Sequence, residues 1–459
     1  MSIKTFIGIK DTSIKSVSNA PVGSIKTILG SGLNQNIWYG IQINEADSSP
    51  DVTRIASDMT LHKTTRLPCH NNIKACLLAD NGTVNYYLDP TNWSKKSTGE
   101  ASKLDGTDGQ VMMEWADFWF KVENNYPAAG QHQIKISPFE QIGWTKVPKH
   151  YVSAFEAGIQ RSTSKLVSLI NTGTDYRGGN NTSAWDAAAN SLLGKPATNI
   201  NRTNFRAYAR NRGAGWNINS YSDIKWLFWF YAIEYATLNS QKAVNTDLTV
   251  DGYRQGGMGA GVTTAVAATW NTFNAYNPFV PCGASNSLAS GSGEVAYTAV
   301  DFGGSGVNVD FKVPRYRGHE NPFGHVWKII DGININVKSV AEGDVTETWI
   351  SNDPATWNDE NYTGYTNVGN QARANGYQKI ALMGAGAEFV PSVISGGADQ
   401  THYYCDYYYT PIPASGVSLR MLFSGGNADS GVYAGLASSY AHYGPSMAFT
   451  YFGSRLRYE

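Results

Sequence analysis

The segment PRYRGHENPFGHVWKIIDGINI, Pro314–Ile335, opens like a metal-binding helix and does not complete one. His319-Glu320 begins the pattern in which two histidines four residues apart share a helical face, but position 323 is Phe, and Pro322 removes a backbone donor such a helix needs. What remains is a set of short β-branched and aromatic runs punctuated by glycine. The same punctuation surrounds it, in GYRQGGMGAGV (252–262), CGASNSLASGSGE (282–294), FGGSG (302–306), MGAGAEF (383–389) and FSGGNADSG (423–431). Glycine is the default residue where a chain must turn with positive φ. The pattern therefore predicts a large, loop-rich β domain from about residue 250 onward.

Upstream, WLFWFYAIEYATL (226–238) lies within a helix expected over Tyr221–Asn239, with Ser220 or Ser222 as N-cap and apolar residues on nearly every face. Such a helix belongs between layers or between subunits. The run is shorter than the ~20 apolar residues that span a bilayer and contains Glu234, so no membrane insertion is expected. A second helix is expected over Tyr151–Ile170, where Phe155, Ile159, Leu166 and Ile170 recur at helix-like intervals. KACLLADNGTVNYYL (74–88) reads as a hairpin turning at Asp80-Asn81-Gly82, and DGTDGQVMMEWADFWFKV (105–122) as a turn leading into a strand. Alternating runs at Ile3, Thr5, Ile7 and Ile9, and at Ile37, Tyr39, Ile41 and Ile43, predict short N-terminal strands. The expected class is α+β and β-rich, with a buried helix.

Composition narrows the function. Lys+Arg number 36 against 37 Asp+Glu, a net charge of -1, so no global field draws the chain to nucleic acid or an anionic membrane. Charged residues are only 16%, while 47 Gly, 13 Trp and 27 Tyr supply turns and large amphipathic rings, which excludes a disordered or highly charged helical protein. Cys69, Cys76, Cys282 and Cys405 are too few and too dispersed for a disulfide framework and read as small buried hydrophobes, with a Cys69–Cys76 bridge as the minor alternative. The opening MSIKTFIGIKDTSIK lacks the apolar run of about 7–15 residues of a secretory signal, so synthesis in a cytoplasm is expected.

Signatures of catalysis and metal binding fail one by one. Asp105-Gly106-Thr107-Asp108-Gly109 with Glu114 lacks the acid spacing of a calcium loop and reads as an Asp/Gly turn. The glycine clusters complete neither a dinucleotide fingerprint nor a phosphate loop, and Gly444-Pro445-Ser446-Met447-Ala448 lacks the context of a nucleophile elbow. Pairs such as Glu114/Asp117 and Asp359/Glu360 do not by spacing make a glycosidase, and His319 and His325 read as satisfied loop histidines. The expectation is no enzyme, no metal and no cofactor. The tail differs. YYCDYYY (403–409), GGNADSGVYAG (425–435) and ASSYAHYGPS (437–446) are rich in Tyr, Ser, Asn and Gly, the chemistry of rigid aromatic anchors mixed with adaptable hydrogen-bonding groups. The alternative for Tyr407, Tyr408 and Tyr409 is simple alternation across a strand.

Six blocks in order, DGTDGQVMMEWADFWFK (105–121), FRAYARNRGAGWN (205–217), IEYATLNSQKAV (233–244), GYRQGGMGAGV (252–262), the 314–335 segment and GGNADSGVYAGLAS with GSRLRY (425–438, 453–458), together resemble a family of bacteriophage fibre and receptor-binding proteins. Their C-terminal part has a C-type-lectin-like fold of the kind found in targets of diversity-generating retroelements. The resemblance covers roughly three quarters of the chain. It implies that Trp216, Trp327 and the Arg/Gly positions of the blocks belong to the core. It places the recognition residues at Asn427, Asp429, Ser430 and Tyr433 in one loop and Ser438, Ser439, Tyr440, His442 and Tyr443 in a second. The Glu-Pro-Asn or Gln-Pro-Asp triplet of calcium-dependent sugar binding is missing, since Glu320-Asn321-Pro322 is out of order, so no calcium-mediated sugar site is expected. Cys282 and Cys405 lack the local pattern of the related formylglycine-generating enzymes.

The resulting expectation is a virion-attachment module (1–60), a β-rich domain (61–150), a helical connector (151–200) and a C-type-lectin-like domain (201–459). The chain would be a structural virion protein, a head or tail fibre at the virion surface, that binds a host surface glycan or protein. Its N-terminal region would hold other virion proteins, and the chain would assemble as a homotrimer or homodimer. The alternatives are a decoration or collar protein whose C-terminal loops contact virion partners and, more remotely, a capsule-degrading fibre enzyme.

Overall fold

The computed structural model describes residues 36–63, 66–187, 191–243, 278–301, 306 and 308–459, with the backbone of a short hairpin at 16–17 and 20–21. The strands expected at Ile3–Ile9 and the glycine run 252–262 lie outside the described residues. Strand accounts for 36% and helix for 12%, which makes the protein β-rich.

Two sheets organise the first half. A five-stranded sheet runs in the order 145–147, 118–123, 131–137, 39–44, 53–56. A seven-stranded sheet runs 216–218, 456–458, 150–153, 110–115, 73–78, 84–89, 92–96. The Asp80-Asn81-Gly82 turn forms as expected: Gly82 takes φ 81°, and its N–H donates to the Ala79 carbonyl at 2.9 Å. Gln110–Trp115 lies between two neighbours with all six residues buried. Hydrogen bonding thus crosses residues 60, 150 and 200.

The stretch Tyr151–Ile170, expected as a helix, is instead a strand at His150–Ser153 and a hairpin of Gly158–Gln160 with Lys165–Val167. Ile159 and Leu166, seven residues apart, are direct cross-strand partners. The interval that fits two helical turns also fits a tight hairpin. Gly158 and the Ser162-Thr163-Ser164 turn, with Ser164 at φ 50°, decide against the helix.

The helix expected over Tyr221–Asn239 is present over Tyr221–Tyr235, ending short of Asn239 at Ala236 in the left-handed conformation. Ser220 and Asp223 form a reciprocal capping box. Every residue except Ser222 and Tyr235 is buried. Trp226 packs on Phe118 and Phe120, Phe230 on His70, Trp115 and Phe118, and Phe228 and Trp229 on Tyr404. The helix's charges are paired, Lys225 with Glu388 at 2.8 Å and Glu234 with Arg317 at 2.7 Å. The all-round apolar surface is consumed within one chain, so it gives no support to an oligomer.

The 314–335 segment forms part of a buried polar clamp. Arg315 donates to the Ala289 carbonyl and to Ser285 Oγ, and Arg317 forks onto Glu234. Arg455 donates to the carbonyls of Ser153, Glu320 and Asn321. His325 Nε2 faces the N–H groups of Phe279 and Val280 and must accept, so its proton sits on Nδ1 and is donated to Glu156 at 2.5 Å. Lys328 lies 2.8 Å from the same carboxylate. Burial opposes ionisation of Glu156, but Lys328 and His325 beside it hold its pKa at about 2. Trp216 is fully buried, its indole donating to the Asp80 carbonyl at 2.7 Å. All four cysteines are buried, and no disulfide joins any two of them.

The C-terminal half adds a three-stranded sheet (293–299, 309–316, 319–320), a four-stranded sheet in the order 366–370, 346–350, 333–338, 417–420, and a second seven-stranded sheet. The last runs 391–394, 376–381, 407–409, 439–440, 423–424, 327–329, 452–453. Tyr407–Tyr409 alternates across its strand, with Tyr408 buried and its neighbours half-buried.

Candidate functional site

Four adjacent strands of this last sheet each bring one large ring to a common cleft: Tyr440, Phe423, Trp327 and Phe452. Tyr440 is the cross-strand partner of Phe423, and Trp327 pairs in parallel with Phe452. The Tyr440 and Trp327 rings lie 4.2 Å apart, those of Phe423 and Phe452 4.4 Å. The loop Asn427–Tyr433, the pair His442 and Tyr443, and Tyr451 form the walls of an open cleft of about 390 Å³.

The wall loop is held by its own polar groups. Gly425, at φ 97°, lets the strand turn sharply, and its carbonyl accepts the Gly324 N–H at 2.9 Å. Asn427 forms a parallel bridge to His325. The Ser430 hydroxyl donates to Asn427 Oδ1 at 2.7 Å and accepts the Asn427 N–H at 3.0 Å. From the far side, Gln241 Nε2 donates to the carbonyls of Gly431 and Ala434. Beneath the loop, Asp406 is buried and accepts from Ser240 Oγ at 2.8 Å and the Ala437 N–H at 2.7 Å. Burial without a cation raises its pKa to about 7. A Cβ at Gly435 would lie 1.8 Å from Asp406 Oδ1, so the chain passes over this carboxyl only as glycine.

Seven of the nine residues proposed from sequence line the cleft: Asn427, Asp429, Ser430, Tyr433, Tyr440, His442 and Tyr443. Ser438 and Ser439 do not. Strand alternation that aims Tyr440 at the cleft turns Ser439 to the opposite face, where it is fully buried, and the Ser438 hydroxyl donates to the Tyr407 carbonyl. Asn427 and Ser430 are cleft-lining but committed to each other, and Asn427 also hydrogen-bonds the Asp429 carboxyl. Asp429, Tyr433, Tyr440, His442 and Tyr443 are left to meet a ligand.

Tyr433 stands 42% exposed at the rim, its ring 4.5 Å from Tyr407 and 5.6 Å from Tyr377. His442 stacks on Tyr443 at 3.9 Å, and burial, reinforced by Arg420, lowers its pKa and favours the neutral imidazole. Phe423, Tyr451 and Phe452 were not legible as site residues, because they sit in two-residue strands or a turn with no period to read. Trp327 is 4% exposed and serves the core and the cleft floor together. Among the described residues no group of three or more His, Cys, Asp or Glu is placed to hold a metal ion. Asp105 accepts from the Thr107 N–H and hydroxyl, as an Asp turn does.

No protein-family model matches the chain, and no curated protein matches it. Among solved structures, the Major Tropism Determinant U1 Variant aligns over 93% of this chain and 73% of its own, with 12% identity and a TM-score of 0.25. Likeness at that level is too distant to carry a conclusion about fold or function.

Proposed function

We propose that this chain is a structural phage virion protein, a head or tail fibre at the virion surface, that binds the host cell through the C-terminal aromatic cleft. The observation that carries the reading is the convergence of Asp429, Tyr433, Tyr440, His442 and Tyr443 on one open cleft, although they come from two separate loops. Rigid rings beside a few polar groups suit recognition of a surface glycan or protein side chain. The sequence resemblance to phage fibre proteins supplies the context. The mechanism is adsorption: each cleft binds weakly, and a homotrimer or homodimer, anchored to other virion proteins through the N-terminal region, multiplies affinity through effective concentration. The test is binding of the full-length protein to intact cells of a host panel, wild type against Tyr433→Ala, with thermal melts of both. Loss of about ten-fold or more in cell binding at unchanged melting temperature supports the reading. A folded wild type that binds no cell shifts the assignment to a decoration or collar protein.

A further inference from the structure

We infer that the cleft selects a glycan carrying a free ammonium group, an unacetylated amino sugar, over a neutral or anionic one; this rests on the receptor-binding reading above. Charge is the first argument. Among the described residues lining the cleft, Asp429 is the one formally charged side chain and no Lys or Arg joins it; the residue is exposed, and while partial burial of its carboxyl raises the pKa, a hydrogen bond from Asn427 favours the carboxylate. Apart from Asn427, Ser430 and His442, the rest of the lining is Trp, Tyr and Phe, whose ring faces carry negative π density.

Arg420, close enough to act on His442, is committed elsewhere. Arg420 is buried, and its Nη1 donates to the carbonyls of Pro411 and Ala441. Asp406 lies beneath the loop, shielded from the cleft and bound by Ser240 and Ala437. A phosphate or carboxylate entering the cleft would therefore lose water and find no cation to replace it. An ammonium would gain both the Asp429 carboxylate and the faces of Tyr433, Tyr440 and Tyr443.

Size and shape are the second argument. A cleft of about 390 Å³ falls within the ~300–1,000 Å³ of small-ligand sites, whereas protein partners meet broad, flat surfaces. The half-buried Tyr440 ring, backed by Trp327 at 4.2 Å, offers an apolar platform for the C–H face of a sugar ring. The exposed carboxylate stands at the cleft wall, where an amino substituent would reach it.

The experiment titrates the full-length protein with three probes at low salt: a glucosamine tetramer, its fully N-acetylated counterpart, and a glucuronate-containing anionic oligosaccharide. Wild type, Asp429→Asn and Tyr433→Ala are compared, each with a melting curve. The expected result is that the glucosamine tetramer binds wild type at least about ten-fold more tightly than the acetylated one. That preference collapses in Asp429→Asn while its melting temperature holds, and Tyr433→Ala weakens both oligomers. Equal binding of the two, binding of neither, or tighter binding of the anionic probe overturns the inference. The cell-binding assay separates the two failures. Tyr433-dependent cell binding without amine preference overturns the ligand class and leaves receptor binding standing. Amine preference without cell binding does the reverse.

Discussion

Asp406 is the side chain on which the recognition loop rests, and it is a carboxyl group buried without a cation. Its two hydrogen bonds, from Ser240 and Ala437, favour the ionised form, but desolvation outweighs them and lifts its pKa from 3.8 to about 7. The sign of the consequence is fixed by linkage. Below about pH 4 both folded and unfolded chains hold the proton. Between about 4 and 7 only the folded chain does, so its stability falls across that window and stays low above pH 7. Asp406→Asn, which keeps the acceptor oxygen and removes the charge, should therefore raise the melting temperature at pH 8. It should gain little or nothing at pH 4, as melts in matched buffers will read. A substitution that stabilises equally at both pH values would contradict the assignment. Glu156 presents the opposite case. Its carboxylate neutralises buried Lys328 and accepts from buried His325, so Glu156→Ala leaves an ammonium and a ring N–H without partners. The expected cost is about 3–5 kcal/mol in denaturant unfolding, beyond what lost packing alone would give.

At the scale of elements, the helix Tyr221–Tyr235 is the hub against which both halves of the chain pack. Ser220→Ala, which removes the cap on Asp223, should cost about 1 kcal/mol. Trp229→Ala should cost about 3–5 kcal/mol, since it empties a fully buried site and strands the Glu388 carbonyl that accepts from the indole at 2.7 Å. Equilibrium unfolding checks both, and equal effects would mean that the helix is held by its ends rather than by its sides. This helix was legible in the sequence because 13 consecutive residues, Trp226–Leu238, are nearly all apolar and a serine precedes the run. The region 151–170 was not, because Ile159 and Leu166 satisfy helical spacing while their actual partners lie across a hairpin. The same limit governed the cleft. Tyrosines and asparagines clustered near the C-terminus could be read as recognition chemistry from their types alone. That Ser438 and Ser439 face inward, and that Phe423 and Phe452 join the floor, depends on registers between strands only two or three residues long.

For the molecule as a whole, the decisive feature is the return of the chain's end to its middle. Leu456–Tyr458 lies between His150–Ser153 and Trp216–Ile218, and Arg455 just before it ties together the carbonyls of Ser153, Glu320 and Asn321. Gly82 packs so closely on Tyr458 that a Cβ there would meet the tyrosine hydroxyl at 2.0 Å, which draws the Asp80-Asn81-Gly82 turn into the same junction. Removing residues 455–459 would open two strand pairings in a central sheet and leave four segments, distant in sequence, without their common partner. The expected result is global: a cooperative melt lost or shifted far down, and protein recovered in the insoluble fraction. Tyr433→Ala should behave in the contrary way, since its ring stands 42% exposed at the rim and packs on the half-buried rings of Tyr377 and Tyr407 rather than on the core. Its melt should match wild type while binding falls. If the truncated chain instead kept a sharp, wild-type melt and lost only binding, the junction would be peripheral to the fold. The cleft would then be the part that depends on it, through the short path from Arg455 to Phe452 on the cleft floor.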